Sequence, residues 1–293
     1  IPANFSNKFQ IIHTENIVTP DMKPSMVLRR GRSSSMALSI SSVVNKETLG
    51  VVSGGNTGAF MVLCLYLMGS LPGVFRPAIA AFFPTKNGHF STMLDLGANS
   101  ENDEIHLIQF AIMGEILAKI ALHIENPRIG LLNIGSEELK GNPTIQKAYN
   151  LMKTIPAFEN FYGFVEGNQI MSGDVDVTVT DGFTGNIALK ALEGAVHMVA
   201  HELRVAFKTS FFSKLSALLS KPSFKRLKSR IDPANYNGAI FLGVKGIAVK
   251  SHGGATAQGF ASAIRATKTM AGMNLIEKLE ERLQDLPIEF LKK

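Results

Sequence analysis

Short runs of Val, Ile, Leu and Phe recur along the chain, each ends at a glycine-bearing polar loop, and most lead into a stretch with apolar positions at helical spacing. That alternation predicts parallel βαβ units and an α/β fold. The strands expected are Phe9 to Ile12, Gly50 to Ser53, Ala78 to Phe83, Ser91 to Asp95, Arg128 to Ile134, Asn160 to Gly163, Val175 to Thr180 and Gly246 to Lys250. Ala78 to Phe83 and Ser91 to Asp95, joined through Pro84-Thr-Lys-Asn-Gly88, read instead as a hairpin. Only residues 203–236 break the rhythm. There Phe207, Phe211, Leu215, Leu218 and Leu219 share one helical face, with Lys208, Lys214 and Lys221 off it. Pro222 interrupts, and Phe224, Leu227 and Ile231 resume the pattern beside Lys225, Arg226, Lys228 and Arg230, which predicts an inserted basic amphipathic helical hairpin.

Two of the strand ends are nearly alike. Leu49-Gly-Val-Val-Ser53 is followed by Gly54-Gly-Asn-Thr-Gly-Ala59, and Asp176-Val-Thr-Val-Thr180 by Asp181-Gly-Phe-Thr-Gly-Asn186. A glycine-threonine-glycine turn into a helix lets backbone N–H groups converge on an anion at the positive end of the helix dipole. Further polar loops follow at Asp95 to Asn99, Asn133 to Asn142 and Ser251 to Thr256. In an open parallel sheet all five share the carboxyl edge, and one cleft is expected there.

A chain of 293 residues with 45% apolar and 18% charged residues can bury a large core as one unit, so residues 1–293 are expected to form a single α/β domain. The net charge of +6 is local: residues 203–231 hold eight basic residues and no acidic one, and the remainder is net negative. A globally basic nucleic-acid binder is thereby disfavoured. The single cysteine, Cys64, cannot form an internal disulfide, which fits a reducing compartment. No apolar run reaches the length of a membrane span; the nearest is Ala59 to Met68. The chain opens on Ile1, and a segment ahead of it is expected.

Eight motifs in fixed order carry a family resemblance. They are Asp21-Met-Lys-Pro24, Leu28-Arg-Arg30 with Ser34-Ser-Met36, Gly55-Asn-Thr-Gly-Ala59, Pro84 to Gly88, Leu94-Asp-Leu-Gly-Ala-Asn99, Gly130-Leu-Leu-Asn-Ile-Gly135 with Lys140-Gly-Asn142, Asp181 to Asn186 and Lys250-Ser-His-Gly253. Across essentially the whole chain the sequence resembles the phosphate acyltransferases of bacterial phospholipid synthesis, the PlsX family. The resemblance implies a three-layer α/β/α sandwich with a mostly parallel sheet, related to phosphotransacetylases and isopropylmalate-type dehydrogenases, and a homodimer. It implies conversion of acyl-[acyl carrier protein] and inorganic phosphate to acyl phosphate and free carrier protein. The family's opening strand and its Asp-Ala-Met-Gly-Gly-Asp motif are absent. Its Ser-His-Gly-Ser-Ser-Asp loop reads Ser251-His-Gly-Gly-Ala-Thr256, which argues against an acid acting at position 256.

Phosphate attacking a thioester must have its charge held and aimed, and the carbonyl oxygen must be stabilised as it becomes an oxyanion. At the matching positions the catalytic candidates are Lys140, toward the thioester oxygen, and Asn186, a donor to phosphate or simply a helix-cap residue. The binding candidates are Gly55, Asn56, Thr57, Gly58, Asn99, Asp181, Gly182, Thr184, Gly185, His252 and Gly253. Asp181 is as readily a capping carboxylate, and His252 as readily a structural loop residue. His197 and His201 have zinc-compatible i, i+4 spacing, but the glutamate of the metalloprotease motif is missing and no third ligand sits nearby, so no metal is expected. Cys64 sits in the apolar run Phe60-Met-Val-Leu-Cys-Leu-Tyr-Leu67, where burial is expected rather than nucleophilic chemistry. Neither glycine loop has Walker or dinucleotide-binding spacing, so no cofactor is expected.

The basic hairpin suits a membrane interface through Phe207, Phe211, Phe212, Leu215, Leu218 and Leu219, or alternatively packs on its own protein with a solvated basic edge. Acidic acyl carrier protein can dock on the same basic surface or on Arg29, Arg30 and Arg32. The expected setting is cytoplasmic, peripheral to the inner face of the cell membrane, with a membrane glycerol-3-phosphate acyltransferase taking the product. The rival readings are a phosphotransacetylase-like enzyme using acyl coenzyme A and a non-catalytic membrane-surface interaction protein.

Overall fold

The apolar runs become strands because β-branched and aromatic residues pack well on a pleated, buried surface. In the computed structural model, which describes residues 8–19, 21–231 and 237–291, the strands are β1 (Gly50–Ser53), β2 (Ala78–Pro84), β3 (Phe90–Leu94), β4 (Ile129–Asn133), β5 (Phe161–Glu166), β6 (Val177–Val179), β7 (Ala239–Leu242) and β8 (Ile247–Lys250). They form one sheet in the order β1-β8-β7-β2-β3-β6-β4-β5. The pairs β1–β8, β3–β6, β4–β6 and β4–β5 are parallel, whereas β2–β3, β2–β7 and β7–β8 are antiparallel.

Helices cover both faces, giving the three-layer architecture. On one face lie α4 (Glu104–Leu122), α5 (Pro143–Thr154), α9 (Ala257–Gly272) and α10 (Leu275–Leu283). On the other lie α1 (Pro24–Arg30), α2 (Ser35–Val44), α3 (Thr57–Leu67) and the start of α6 (Gly182–Ala206). Short polar side chains set several helix starts: Ser34 caps α2, Asn56 α3, Asn142 α5 and Thr256 α9, each accepting a first-turn N–H. The longest apolar helix is α4, not Ala59 to Met68. Its length and composition would suit a membrane span, yet Leu107 through Leu117 are buried against the sheet.

Three expectations are corrected. Phe9 to Ile12 forms no strand; Phe9, Ile11 and Ile12 are exposed, with no neighbouring strand among the described residues to bury them. Ala239–Leu242 is a strand that pattern reading missed, because its apolar run is only a four-residue turn away from β8 and the two read as one. The third concerns direction. β1, β8 and β2 run one way and β7, β3, β6, β4 and β5 the other, so the five glycine loops do not share an edge. The loops after β1 and β8 stand at one rim of the sheet and those after β3, β4 and β6 at the opposite rim, about 20 Å away along the seven-residue β2.

The basic segment begins later than expected. α6 continues through Ala206, so residues 203–206 are its last turn, and Ser210 then caps α7 (Phe211–Leu219), which is followed by α8 (Lys221–Ile231). Phe207 and Phe224 meet edge to face, 4.8 Å between centroids, and brace α6 against α8. Residues 232–236 of the expected hairpin lie outside the described residues.

Candidate functional site

At the first rim, β1 ends at Ser53, whose Oγ accepts the Gly55 N–H at 3.2 Å. Asn56 Oδ1 accepts the Ala59 N–H at 2.9 Å and so starts α3 with a neutral cap. Met36 fills the space beside Gly55, and Gly54 and Gly253 lie against one another. The neighbouring loop is fixed by Asn237, which accepts the His252 N–H (3.0 Å) and donates to Ser251 Oγ (2.7 Å). His252 Nδ1 accepts the Gly254 N–H at 3.0 Å, which assigns the neutral ring's proton to Nε2. Lys250, register partner of Ser53, points its ammonium to the Ser251 carbonyl, and burial pushes its pKa below the ordinary lysine range. This rim thus gathers Gly55, Asn56, Thr57, Gly58, His252 and Gly253 around the amino end of a helix, with a half-buried lysine beside them.

At the second rim the loops after β3 and β6 are packed into one unit. Asp95 is buried, and its Oδ1 accepts N–H bonds from Ile79, Gly97 and Ala98 while Oδ2 accepts the backbone N–H and side-chain Nδ2 of Asn99. Burial pushes the Asp95 carboxyl above its ordinary range, opposed by the donors of Ala98, Ile79 and Asn99. Asn99 also donates to the Pro77 carbonyl at 2.8 Å. α6 begins directly on this loop: Gly182 abuts Asn99 and the Asp95 carboxylate, Gly185 abuts the Asp95 carbonyl, and Asn186 stands 3.4 Å from where a Cβ on Gly97 would be. The Leu94–Asp95 peptide is cis.

The two similar loops differ in their caps. Asp181 Oδ1 accepts the Thr184 N–H at 2.8 Å, Oδ2 accepts the Thr184 hydroxyl at 2.7 Å, and Gly182 N–H donates to Asn102 Oδ1 at 3.4 Å. The amino end of α6 is therefore closed by a carboxylate, and the expected cradle of Gly182 to Gly185 N–H groups is already largely satisfied. Asn102 was missed by sequence reading, since nothing in its run marks it; its Nδ2 is buried with no acceptor among the described residues.

Lys140 belongs to the same rim, in the loop after β4, the neighbour of β6. Its side chain is exposed, but its backbone is held: Lys140 N–H donates to Glu137, its carbonyl accepts from Asn133 Nδ2, and Gln146 donates to the carbonyls of Leu139 and Gly141. Glu138 accepts from Tyr149 and Lys153 and so ties the loop to α5; the Lys153 bond holds its carboxyl below the usual range. Asn186, Thr184 and Lys140 are solvent-facing on this rim, and the packed Asp95–Asn99 loop lies beneath them. His197 and His201 lie exposed on α6, and among the described residues no three His, Cys, Asp or Glu side chains group as a metal site.

The family described as "Fatty acid synthesis protein" matches residues 3–278. Phosphate acyltransferase of Rhodospirillum centenum is 48% identical over 274 residues, covering 94% of this chain and 77% of that protein. The enzyme of the same name from Paramagnetospirillum magneticum is 50% identical over 254 residues, covering 87% and 72%. Among solved structures, a phosphotransacetylase from Streptococcus pyogenes superposes with a TM-score of 0.51 at 15% identity over 96% of this chain and 82% of that one. A branched-chain phosphotransacylase from Enterococcus faecalis gives 0.52 at 14% identity over 82% and 80%. These last two share the fold.

Proposed function

Because the chain belongs to the phosphate acyltransferase family and is therefore an enzyme, we propose that it transfers an acyl group from acyl-[acyl carrier protein] to inorganic phosphate. The observation that carries this reading is the convergence of Lys140 and Asn186 on one rim, from loops after adjacent strands. In the reaction a phosphate oxygen bonds the carbonyl carbon, the carbon–sulfur bond breaks, and the proton of monohydrogen phosphate ends on the departing thiolate. Lys140 supplies positive charge to the carbonyl oxygen as it becomes an oxyanion, and Asn186 donates a hydrogen bond to the phosphate. Asn99, Asp181, Gly182, Thr184 and Gly185 shape the surface on which this happens, Asp181 as a cap rather than a phosphate ligand.

The first rim plays a different part. Gly55, Asn56, Thr57 and Gly58 begin a helix with a neutral cap beside Lys250, a better environment for a phosphate group than the carboxylate-capped α6. His252 and Gly253 adjoin it. We assign it a phosphate-binding role. The exposed side chains of Phe211, Phe212 and Leu219, at 76%, 78% and 76%, with Leu215 and Leu218, support peripheral attachment to an anionic membrane on this side. Phe207 contributes less, being turned onto Phe224. Exposed Phe183 and Ile187 on α6 support a homodimer. In this setting the enzyme works in the cytoplasm at the inner face of the membrane, and its acyl phosphate passes to a membrane glycerol-3-phosphate acyltransferase.

The test is phosphate-dependent release of free thiol from palmitoyl-[acyl carrier protein], with palmitoyl coenzyme A in parallel. Carrier-dependent thiol release with acyl phosphate is expected. Activity confined to coenzyme A would move the assignment to the phosphotransacetylase chemistry named for the fold neighbours, and inactivity with both would leave the interaction reading.

A further inference from the structure

We propose that Arg76 holds the attacking inorganic phosphate at the second rim, an inference that rests on the acyl-phosphate reading above. The need for it arises from the α6 cap. A phosphate dianion placed beside Asn186 faces the Asp181 carboxylate and finds the Thr184 and Gly185 N–H groups already bonded to Asp181. One lysine aimed at the thioester oxygen leaves the phosphate without a counter-charge of its own.

Arg76 meets that need by position. It immediately precedes Pro77 and β2, and the amino end of β2 lies at the rim where β3, β6 and β4 finish. In the strand order β2-β3-β6-β4, Arg76 and the Lys140 loop therefore bracket the Asp181–Asn186 loop, with β2 and β4 roughly 14 Å apart over three strand spacings. Two long basic side chains at that separation are long enough to act on one small site from opposite sides.

The backbone that carries Arg76 is clamped. Gln109, fully buried, accepts the Phe75 N–H at 3.0 Å and donates to the carbonyls of Gly73 and Phe290, both at 2.7 Å. On the other side Asn99 holds the Pro77 carbonyl, the same Asn99 whose N–H and amide serve Asp95. The guanidinium itself is exposed and makes no ion pair with any of the described residues. The neighbouring Asp95 carboxylate is occupied by five hydrogen bonds, and Asp181 by Thr184. A guanidinium that is unpaired among the described residues, carried on a clamped backbone, offers two parallel N–H donors that match phosphate oxygens.

Steady-state kinetics on the full chain decide it. Arg76→Gln should raise the KM for phosphate about tenfold or more while leaving the KM for acyl-carrier thioester and the urea midpoint unchanged, and Arg76→Lys should fall between. An unchanged phosphate KM in Arg76→Gln would overturn the proposal, as would equal increases in both KM values. If Arg76→Gln fails to fold, Arg76→Lys decides by the same comparison. Wild-type protein that forms no acyl phosphate would sink the functional reading instead; calorimetric titration with inorganic phosphate, wild type against Arg76→Gln, would then still test the arginine.

Discussion

Gly185 lies so close to the backbone carbonyl of Asp95 that no side chain fits between them. The first turn of α6 and the loop after β3 are thereby a single piece, and Asn186 takes its position from that contact. Gly185→Ala should push α6 off the loop, costing about 1–3 kcal/mol of stability and at least tenfold in activity. Urea unfolding and the transfer assay would check both; an unaltered rate would mean that Asn186 does not depend on this packing.

Lys140→Ala removes the exposed ammonium while the hydrogen bonds that fix its loop are all made by backbone or by other side chains. Stability should stay within about 0.5 kcal/mol of wild type. The turnover number should drop about 100-fold or more, the usual cost of losing one oxyanion-stabilising group. Retention of normal acyl-phosphate formation would remove Lys140 from the chemistry.

Glu115, buried on α4, accepts two bonds from Arg282 on α10 (3.0 and 3.2 Å) and one from Lys119 at 2.6 Å. Arg282 also donates to the Ala157 carbonyl, joining three segments far apart in sequence. Glu115→Ala leaves a partly buried guanidinium without its main counter-charge and should destabilise the protein by about 3–5 kcal/mol. Denaturant melts would show this; a loss under 1 kcal/mol would indicate that the network relaxes to water.

Burial pushes the Cys64 thiol from 9.0 up to about 12. The native protein should therefore resist thiol reagents at pH 8 and react only on unfolding, and Cys64→Ala should keep full transfer activity. The sign for stability follows. Between pH 9 and about 12 the unfolded thiol loses its proton while the folded one retains it, so Cys64 contributes stability below pH 9 that is lost as pH rises through that window, at about 1.4 kcal/mol per pH unit. The difference between wild type and Cys64→Ala in urea stability at pH 9 and pH 10.5 measures it. Identical slopes would contradict the burial.

On α7, Leu215 and Leu218 are exposed together with Phe211, Phe212 and Leu219, on a segment with no acidic residue. Leu215→Glu combined with Leu218→Glu should abolish sedimentation with anionic vesicles, leave binding to neutral ones equally absent, and preserve activity in solution. Undiminished sedimentation would exclude α7 as the contact.

Much was legible in the residues alone. The apolar runs marked seven of the eight described strands, because a buried strand needs a short β-branched or aromatic run wherever it lies in the sheet. The motif order pointed to the family, and the motifs that hold Lys140 and Asn186 lie in loops after adjacent strands. The rest was set by strand direction and three-dimensional neighbours. No local pattern says that β2 and β7 enter the sheet antiparallel, and this alone separates two near-identical glycine loops to opposite rims. The caps of the two loops, Asn56 in the third position of one and Asp181 in the first position of the other, gain their meaning only when the donors each one accepts are known. Phe9 to Ile12 has strand character and no strand partner among the described residues, since strand propensity supplies a surface and tertiary structure decides whether anything covers it. Arg76 carries no signal in its own run; its place opposite Lys140 exists only because β2, β3, β6 and β4 pair in that order.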